Sequence, residues 1–392
     1  MKLKVLRLIK RIAEVILRAF YRVLTACAPV HKNKVLFVAF HGRGVLDSPK
    51  ALYEYMLSHD EYKDYELIFT LNKKVPGVKS VRYMSLGFLV AAATSKYWFF
   101  NCKMPGFLYK KSNQVYLQTW HGTPLKRLGH DIVVDKDQKI SRSGLSQDKR
   151  NKAYDDDAKK YDYMVSPNAF STDCFESAFG VRRDKLIETG YPRNDYLTNV
   201  TSEEVTAIKE KYGIGADKKI IFYAPTFRDN AYNTAGYTFK LEVDFKKWKE
   251  ILGDEYVVLF KPHYLIVTDF KEDVVTAGFV KFIDANADIN ELYVIADMLI
   301  TDYSSVFFDY AILNRPIYFY MYDIDEYEGM LRGFYLDVYK DLPGKIYKDE
   351  QSMLSAIKRG EFDAALMQLF RERFTYLEDG KATKRVLDIV LK

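Results

Sequence analysis

The chain has 392 residues, 48% hydrophobic and 29% charged, with 20 glycines and 11 prolines. That length exceeds one comfortable core and implies two domains, and the composition excludes disordered, collagen-like and polytopic membrane chains. The net charge of +6 sits at one end: residues 1–34 carry nine Lys or Arg against the single acid Glu14, so the rest sums to −2 and no nucleic-acid partner is expected.

The basic end reads MKLKVLRLIKRIAEVILRAFYRVL. Val5, Ile9, Ile12, Ile16, Ala19 and Val23 recur at helical spacing on one side, and Lys4, Arg7, Arg11, Glu14, Arg18 and Arg22 on another, the pattern of an amphipathic helix. Charges in every turn deny it the roughly 20 apolar residues of a transmembrane span, and no cleavable signal pattern is present. Residues 1–33 are therefore expected to lie on an anionic membrane surface, each basic side chain contributing up to about 1 kcal/mol. The competing reading is a helix docked on the protein's own body.

Continuous apolar or β-branched runs follow at residues 34–41, 65–71, 96–100, 115–120, 163–167 and 185–190, then at 218–225, 256–262, 279–283, 296–301 and 316–320, separated by helical stretches. Such runs are the mark of parallel strands buried on both faces, and their alternation with helices predicts two doubly wound α/β domains. The β-signal is weakest around TSEEVTAIKEKYGIGADK, which opens on an N-cap Thr or Ser; the domains are accordingly read as 34–200 and 201–392. Residues 129–152 are polar, charged and weakly periodic, a surface loop or lid. Cys27, Cys102 and Cys174 have no CxxC spacing, which offers neither a disulfide framework nor a zinc ribbon and suits a reducing compartment.

Ligands of open α/β sheets bind beyond the carboxyl ends of strands. His121 follows VYLQTW there and precedes Gly122-Thr123-Pro124; His263 follows YVVLFKP. A lone strand-end histidine is more often structural than catalytic, but two in corresponding places of two domains carry more weight, because imidazole exchanges a proton near neutrality. In ADMLITDYSSVFFDYAILNRPIYFY a strand ends at Thr301-Asp302, Ser304 and Ser305 supply N-cap hydroxyls, and a helix runs on to Asn314. Unpaired amides and hydroxyls at such a terminus suit a phosphate or diphosphate, with Asp309 one turn on placed to accept from a ribose; an ordinary capped helix is the bland alternative. There is no GxxxxGKS and no GxGxxG opening a helix, so neither a P-loop enzyme nor a standard dinucleotide enzyme is expected. Asp155-Asp156-Asp157 lies in a polar helical stretch and reads as a solvated face, so no metal and no cofactor is expected.

Six blocks occur in order: Trp120-His121-Gly122-Thr123-Pro124-Leu125-Lys126, Ser166-Pro167-Asn168, Gly190-Tyr191-Pro192-Arg193-Asn194-Asp195, Tyr223-Ala224-Pro225-Thr226-Phe227-Arg228, Lys261-Pro262-His263 and Thr301-Asp302-Tyr303-Ser304-Ser305. Together they resemble the CDP-glycerol:poly(glycerophosphate) glycerophosphotransferase family over roughly residues 34–375. The resemblance implies an α/β, GT-B-like fold of two facing Rossmann-like domains, the C-terminal one holding the nucleotide. It also implies peripheral association with the cytoplasmic face of the cell membrane. The implied reaction moves a polyol phosphate, foremost glycerol phosphate, from a CDP-polyol to a hydroxyl of an undecaprenyl-diphosphate-linked saccharide, releasing CMP, in teichoic acid synthesis. His121 and His263 are the catalytic pair, with His121 read as base. Gly122, Thr123, Lys126, Arg228, Lys261, Thr301, Asp302, Ser304, Ser305 and Asp309 are read as substrate-binding. A CDP-ribitol enzyme or another GT-B nucleotide-sugar transferase is the alternative, and the short chain favours a single-unit transferase over a polymerase.

Overall fold

The computed structural model describes residues 2–132, 147–226, 232–233, 236–237, 243–261, 276–284, 287–325 and 333–392; for 2–13, 232–233 and 236–237 it describes the backbone alone. The chain divides into two compact units. Unit 1 comprises Met1–His121, Ser146–Arg193 and Lys381–Lys392, and unit 2 comprises Gly122–Leu145 and Asn194–Gly380. The chain thus changes unit four times, where the sequence reading drew one division near residue 200.

Unit 1 is built on seven parallel strands: β1 (His31–Val38), β2 (Glu66–Leu71), β3 (Ser80–Arg82), β4 (Ser95–Phe100), β5 (Val115–Gln118), β6 (Tyr163–Ser166) and β7 (Leu186–Glu188), in spatial order β3-β2-β1-β4-β5-β6-β7. The apolar runs are strands because both faces are covered: Val35 through Val38 are wholly buried. Phe37 stacks on Phe69 at 5.7 Å and meets Phe99 edge-on at 5.4 Å, joining three neighbouring strands through one ring. Strand order reverses between β1 and β4. Such a switch point is where open α/β sheets place their ligand crevice, beyond the carboxyl ends of the strands.

The N-terminal helix spans Lys2–Cys27. Tyr21 and Thr25 are buried, with the Tyr21 ring 6.3 Å from Phe107, and the helix packs on the helix Leu86–Thr94. Val15, Ile16, Phe20 and Val23 of the same helix remain exposed. The final helix, Ala382–Val390, returns to unit 1 and buries Val386, Leu387 and Val390 beside Leu52 and Met56. Arg385 secures it by donating from Nε and a terminal nitrogen to the Thr189 carbonyl at 3.0 and 2.8 Å.

Unit 2 holds a second parallel sheet of β8 (Lys219–Ala224), β11 (Tyr256–Phe260), β12 (Val280–Phe282), β13 (Met298–Thr301), β14 (Ile317–Tyr320) and β15 (Ile346–Tyr347), ordered β12-β11-β8-β13-β14-β15, and a short antiparallel pair, β9 (Tyr232–Asn233) and β10 (Gly236–Tyr237). Its core gathers Tyr223, Phe245, Trp248 and Phe260. Thr201 caps the helix Ser202–Lys211 through a reciprocal box, its hydroxyl accepting from Glu204 N–H at 3.2 Å while the Glu204 carboxylate accepts from Thr201 N–H at 2.8 Å. Two parallel sheets make this an α/β chain. Among the described residues, no helix is long and apolar enough to cross a membrane.

Candidate active site

In unit 1 the backbone beyond the strands is strained where side chains of chemical interest converge. Phe40 (φ 44°), His41 (φ 58°), Asp47 (φ 60°) and Trp120 (φ 53°) all adopt positive φ, and all lie past the carboxyl ends of β1 or β5. Non-glycine residues in that region each cost on the order of 1–3 kcal/mol, and folds retain such strain mainly where it serves a site.

Asn101, immediately after β4, organises this end. Its buried side-chain carbonyl accepts from the Phe40 N–H at 2.8 Å, and its main-chain carbonyl lies 2.7 Å from His121 Nδ1. A carbonyl only accepts, so Nδ1 carries the proton and Nε2 keeps its lone pair. The His121 ring stacks on Trp120 at 4.2 Å and meets Phe40 edge-on at 5.8 Å, while Trp120 rests on Phe179 at 4.6 Å. His121 is exposed as a residue. Its pKa is lowered, foremost by desolvation and also by the Arg193 cation, against the opposing pull of the Asn101 carbonyl and the Asp47 carboxylate.

Further residues complete this half; none was read as a site residue from the sequence, although Tyr191 and Arg193 belong to one of the six ordered blocks. Asp47 Oδ1 stands 3.6 Å from the guanidinium of buried Arg193, which lies over the Tyr191 ring at 4.0 Å. His41 Nδ1 is 3.2 Å from the Tyr83 hydroxyl, and its main-chain N–H points to Cys102 Sγ at 3.4 Å. Burial, then Arg43 and His121, lower the His41 pKa. Burial pushes the Cys102 thiol up to about 12, which keeps it protonated and unreactive. The usable signal for His41 was its place after a strand, in the run Phe40-His41-Gly42-Arg43-Gly44.

In unit 2 the ends of β8 and β13 are tied together. The Thr301 hydroxyl donates to the Ala224 carbonyl at 2.8 Å, and Asp302 Oδ1 accepts from the Thr226 N–H at 2.8 Å. Both Thr301 and Asp302 are buried, so these bonds hold the strand ends in place. Ser305 occupies the N-cap position but has helical dihedrals (φ −70°, ψ 0°), and its hydroxyl makes no capping bond. The cap expected from Ser305 is therefore not made, because a helical backbone there does not aim the side chain back at the first amides. The helix itself is short, Val306–Tyr310, tightening into the turn Ala311–Leu313 and stopped by left-handed Asn314.

Gly122 approaches this turn closely: a Cβ on it would come within 3.0 Å of Ser305 Oγ. The residues that follow are stitched to residues 333–335, with Arg127 N–H donating to the Gly333 carbonyl at 3.0 Å, Tyr335 N–H to the Leu125 carbonyl at 2.9 Å, and a bridge between Lys126 and Phe334. Unit 2 thus brings Gly122 and Ser305 together and anchors Thr123 and Lys126 nearby, Thr123 being buried. Asp309 is turned inward, its Oδ1 accepting from buried Asn194 Nδ2 at 3.2 Å. Lys261, one residue past β11, donates to the Asp284 carbonyl at 3.1 Å, and burial lowers its pKa to about 8 against the pull of Asp284 and Asp288. His263 and Arg228 lie outside the described residues. Among those described, no group of three or more His, Cys, Asp or Glu is placed to hold a metal ion.

The family model described as CDP-Glycerol:Poly(glycerophosphate) glycerophosphotransferase matches residues 19–392. A teichoic acid glycerol-phosphate transferase of Staphylococcus aureus is 40% identical over 376 residues, covering 92% of this chain and 94% of that protein. A teichoic acid poly(glycerol phosphate) polymerase of Bacillus spizizenii is 38% identical, covering 100% of both. Among solved structures, the wall teichoic acid polymerase TagF after a CDPG soak is similar with a TM-score of 0.86 at 36% identity, covering 99% of this chain and 96% of that one.

Proposed function

Since the chain belongs to the CDP-glycerol:poly(glycerophosphate) glycerophosphotransferase family, and is a transferase of teichoic acid synthesis, we propose that it moves glycerol phosphate from CDP-glycerol to a hydroxyl of an undecaprenyl-diphosphate-linked saccharide, at the cytoplasmic face of the cell membrane. Glycerol is preferred over ribitol as the polyol because the relatives described above are named for glycerol phosphate. The observation that carries the mechanism is the hydrogen bond between His121 Nδ1 and the Asn101 carbonyl.

That bond leaves Nε2 as a lone pair on an imidazole whose pKa is lowered, so the ring is neutral at physiological pH and ready to accept a proton. An alcohol is a poor nucleophile until its proton has a destination. In this reading the acceptor oxygen attacks the phosphorus bearing the glycerol as its proton passes to His121 Nε2, and the bond from that phosphorus to the CMP oxygen breaks. CMP leaves with the electron pair, and His263 is assigned to hydrogen-bond or protonate the departing oxygen. Phosphoryl transfer needs mainly alignment and compensation of charge on the equatorial oxygens. Lys261, Arg228, Lys126 and the hydroxyls of Ser304 and Ser305 are assigned to that charge, and Gly122 and Thr123 to close backbone approach. Thr301, Asp302 and Asp309 support the donor site by fixing the strand ends and Asn194.

The test is CMP release from CDP-glycerol, CDP-ribitol and UDP-sugars with a lipid-linked saccharide acceptor, with mass spectrometry of the product. Mass gain by glycerol phosphate, accompanied by CMP, is expected. CMP released only from CDP-ribitol, or transfer only from a UDP-sugar, overturns the reading.

A further inference from the structure

Away from the histidines, unit 1 carries a second concentration of charge. Arg18 and Arg22 of the N-terminal helix, Lys110 from the segment between β4 and β5, and Lys159 and Lys160 just beyond the helix Gln147–Ala158 line a recess of about 280 Å³, with Tyr109 at its edge. Three segments distant in sequence therefore bring five cations to one place. Acids accompany some of them: Lys110 meets Asp162 at 3.0 Å, Lys160 meets Asp157 at 3.6 Å, and Arg18 meets Glu14 at 3.5 Å. Arg22 and Lys159 have no ion pair among the described residues. A cation beyond a helix C-terminus complements the helix dipole, which accounts for Lys159 and Lys160 but not for the arginines or Lys110.

The helix that supplies the arginines has three distinct sides along its described length. Tyr21 and Thr25 face the protein, Arg18 and Arg22 face the recess, and Val15, Ile16 and Val23 are 66%, 63% and 65% exposed on the side bordering the arginines. A recess of converging cations beside an exposed apolar stripe is complementary to a molecule with a phosphate head and an apolar tail.

We propose that this recess is a binding site for the phosphate headgroup of an anionic membrane amphiphile, whose tail lies along Val15, Ile16 and Val23. The proposal rests on the reading that the enzyme works at a membrane, and adds to it a discrete phosphate site outside the catalytic residues. Arg22 and the lysines would hold the phosphate oxygens, and Tyr109 would sit at the level of the headgroup.

The test compares binding of the full chain to vesicles of phosphatidylcholine alone and of phosphatidylcholine with phosphatidylglycerol, and titrates inorganic pyrophosphate as a soluble phosphate. Wild type is expected to bind the anionic vesicles, and Arg22→Glu or Lys159→Glu to weaken that binding at least tenfold. Lys152→Glu makes the same charge change on the exposed side of the neighbouring helix and is expected to alter it less than twofold. Turnover with a short soluble acceptor should be unchanged in all three variants, which also shows that they fold. Equal weakening by Lys152→Glu would mean a diffuse field and no site. Anionic vesicle binding undiminished in the Arg22 and Lys159 variants overturns the recess while the membrane reading stands, whereas no vesicle binding by wild type overturns both. Pyrophosphate binding lost in the variants, without vesicle binding, would reassign the recess to a free phosphate and end the headgroup proposal.

Discussion

The imidazole of His121 donates through Nδ1 to the main-chain carbonyl of Asn101 at 2.7 Å, a bond between the residue after β4 and one shortly after β5. Adjacent strands of one sheet thereby set the tautomer of the imidazole proposed as base. Replacing His121 by Ala should lower turnover at least about 100-fold, the lower range for losing a general base, with CDP-glycerol affinity largely retained. Stopped assays of CMP release alongside calorimetric titration of CDP-glycerol decide it. A folded variant with near-normal turnover would remove His121 from the chemistry.

The pH profile follows from the direction of the His121 shift. A base must be deprotonated to act, and desolvation lowers its pKa, so activity should persist below the ordinary histidine value of about 6.5. The Asp47 carboxylate favours the protonated ring and holds the pKa up. Asp47→Asn should therefore displace the acid limb of kcat/KM to still lower pH. An upward displacement would contradict this electrostatic account.

Lys261 makes the opposite prediction for donor binding. Its pKa of about 8 means that the ammonium is lost as pH rises through that value, and with it the attraction for a diphosphate. The dissociation constant for CDP-glycerol should rise between about pH 7 and about pH 9 in the wild type. In Lys261→Arg, where the cation persists, the slope should disappear. Equal slopes in both proteins would take Lys261 out of the donor site.

The close approach of Gly122 to Ser305 is testable as a pair. A Cβ at residue 122 would meet Ser305 Oγ at 3.0 Å but Ser305 Cβ only at 4.0 Å. Gly122→Ala should cost about 1–3 kcal/mol of unfolding free energy through overpacking. Adding Ser305→Ala should return part of that cost, which a double-mutant cycle in urea would register as coupling. Strict additivity would show that the two residues do not touch in solution.

Much of the architecture was legible because buried parallel strands leave uninterrupted apolar runs, and Val35–Val38, Val257–Phe260 and Leu299–Ile300 are of that kind. The described strands that escaped notice are all short: β3 and β15 have three and two residues and lie at sheet edges, and β9 and β10 form a separate pair of two residues each, where neither burial nor alternation leaves a pattern. At the site, His121 was visible from its place at a strand end. Asn101 and Asp47 were not, and Arg193 only as one member of a matched block, because their part lies in a carbonyl direction, a positive φ and an ion pair spanning residues 47 and 193. Local pattern likewise shows that the helix Ala382–Val390 needs an apolar partner, without saying that Leu52 and Met56 supply it.

That last packing has a bearing on biosynthesis. Gly380, at φ +80°, sits where a Cβ would come within 2.5 Å of Asn199 Oδ1, and directly beyond it the chain leaves unit 2 for unit 1. On the ribosome, residues 381–392 emerge after every residue of unit 2, so the unit begun first is the one finished last. Until then its surface around Leu52 and Met56 stays uncovered in the nascent chain. Expression of residues 1–200, which keeps all of unit 1 but its last segment, should consequently give an aggregation-prone product, and co-expressed 381–392 peptide should improve its recovery.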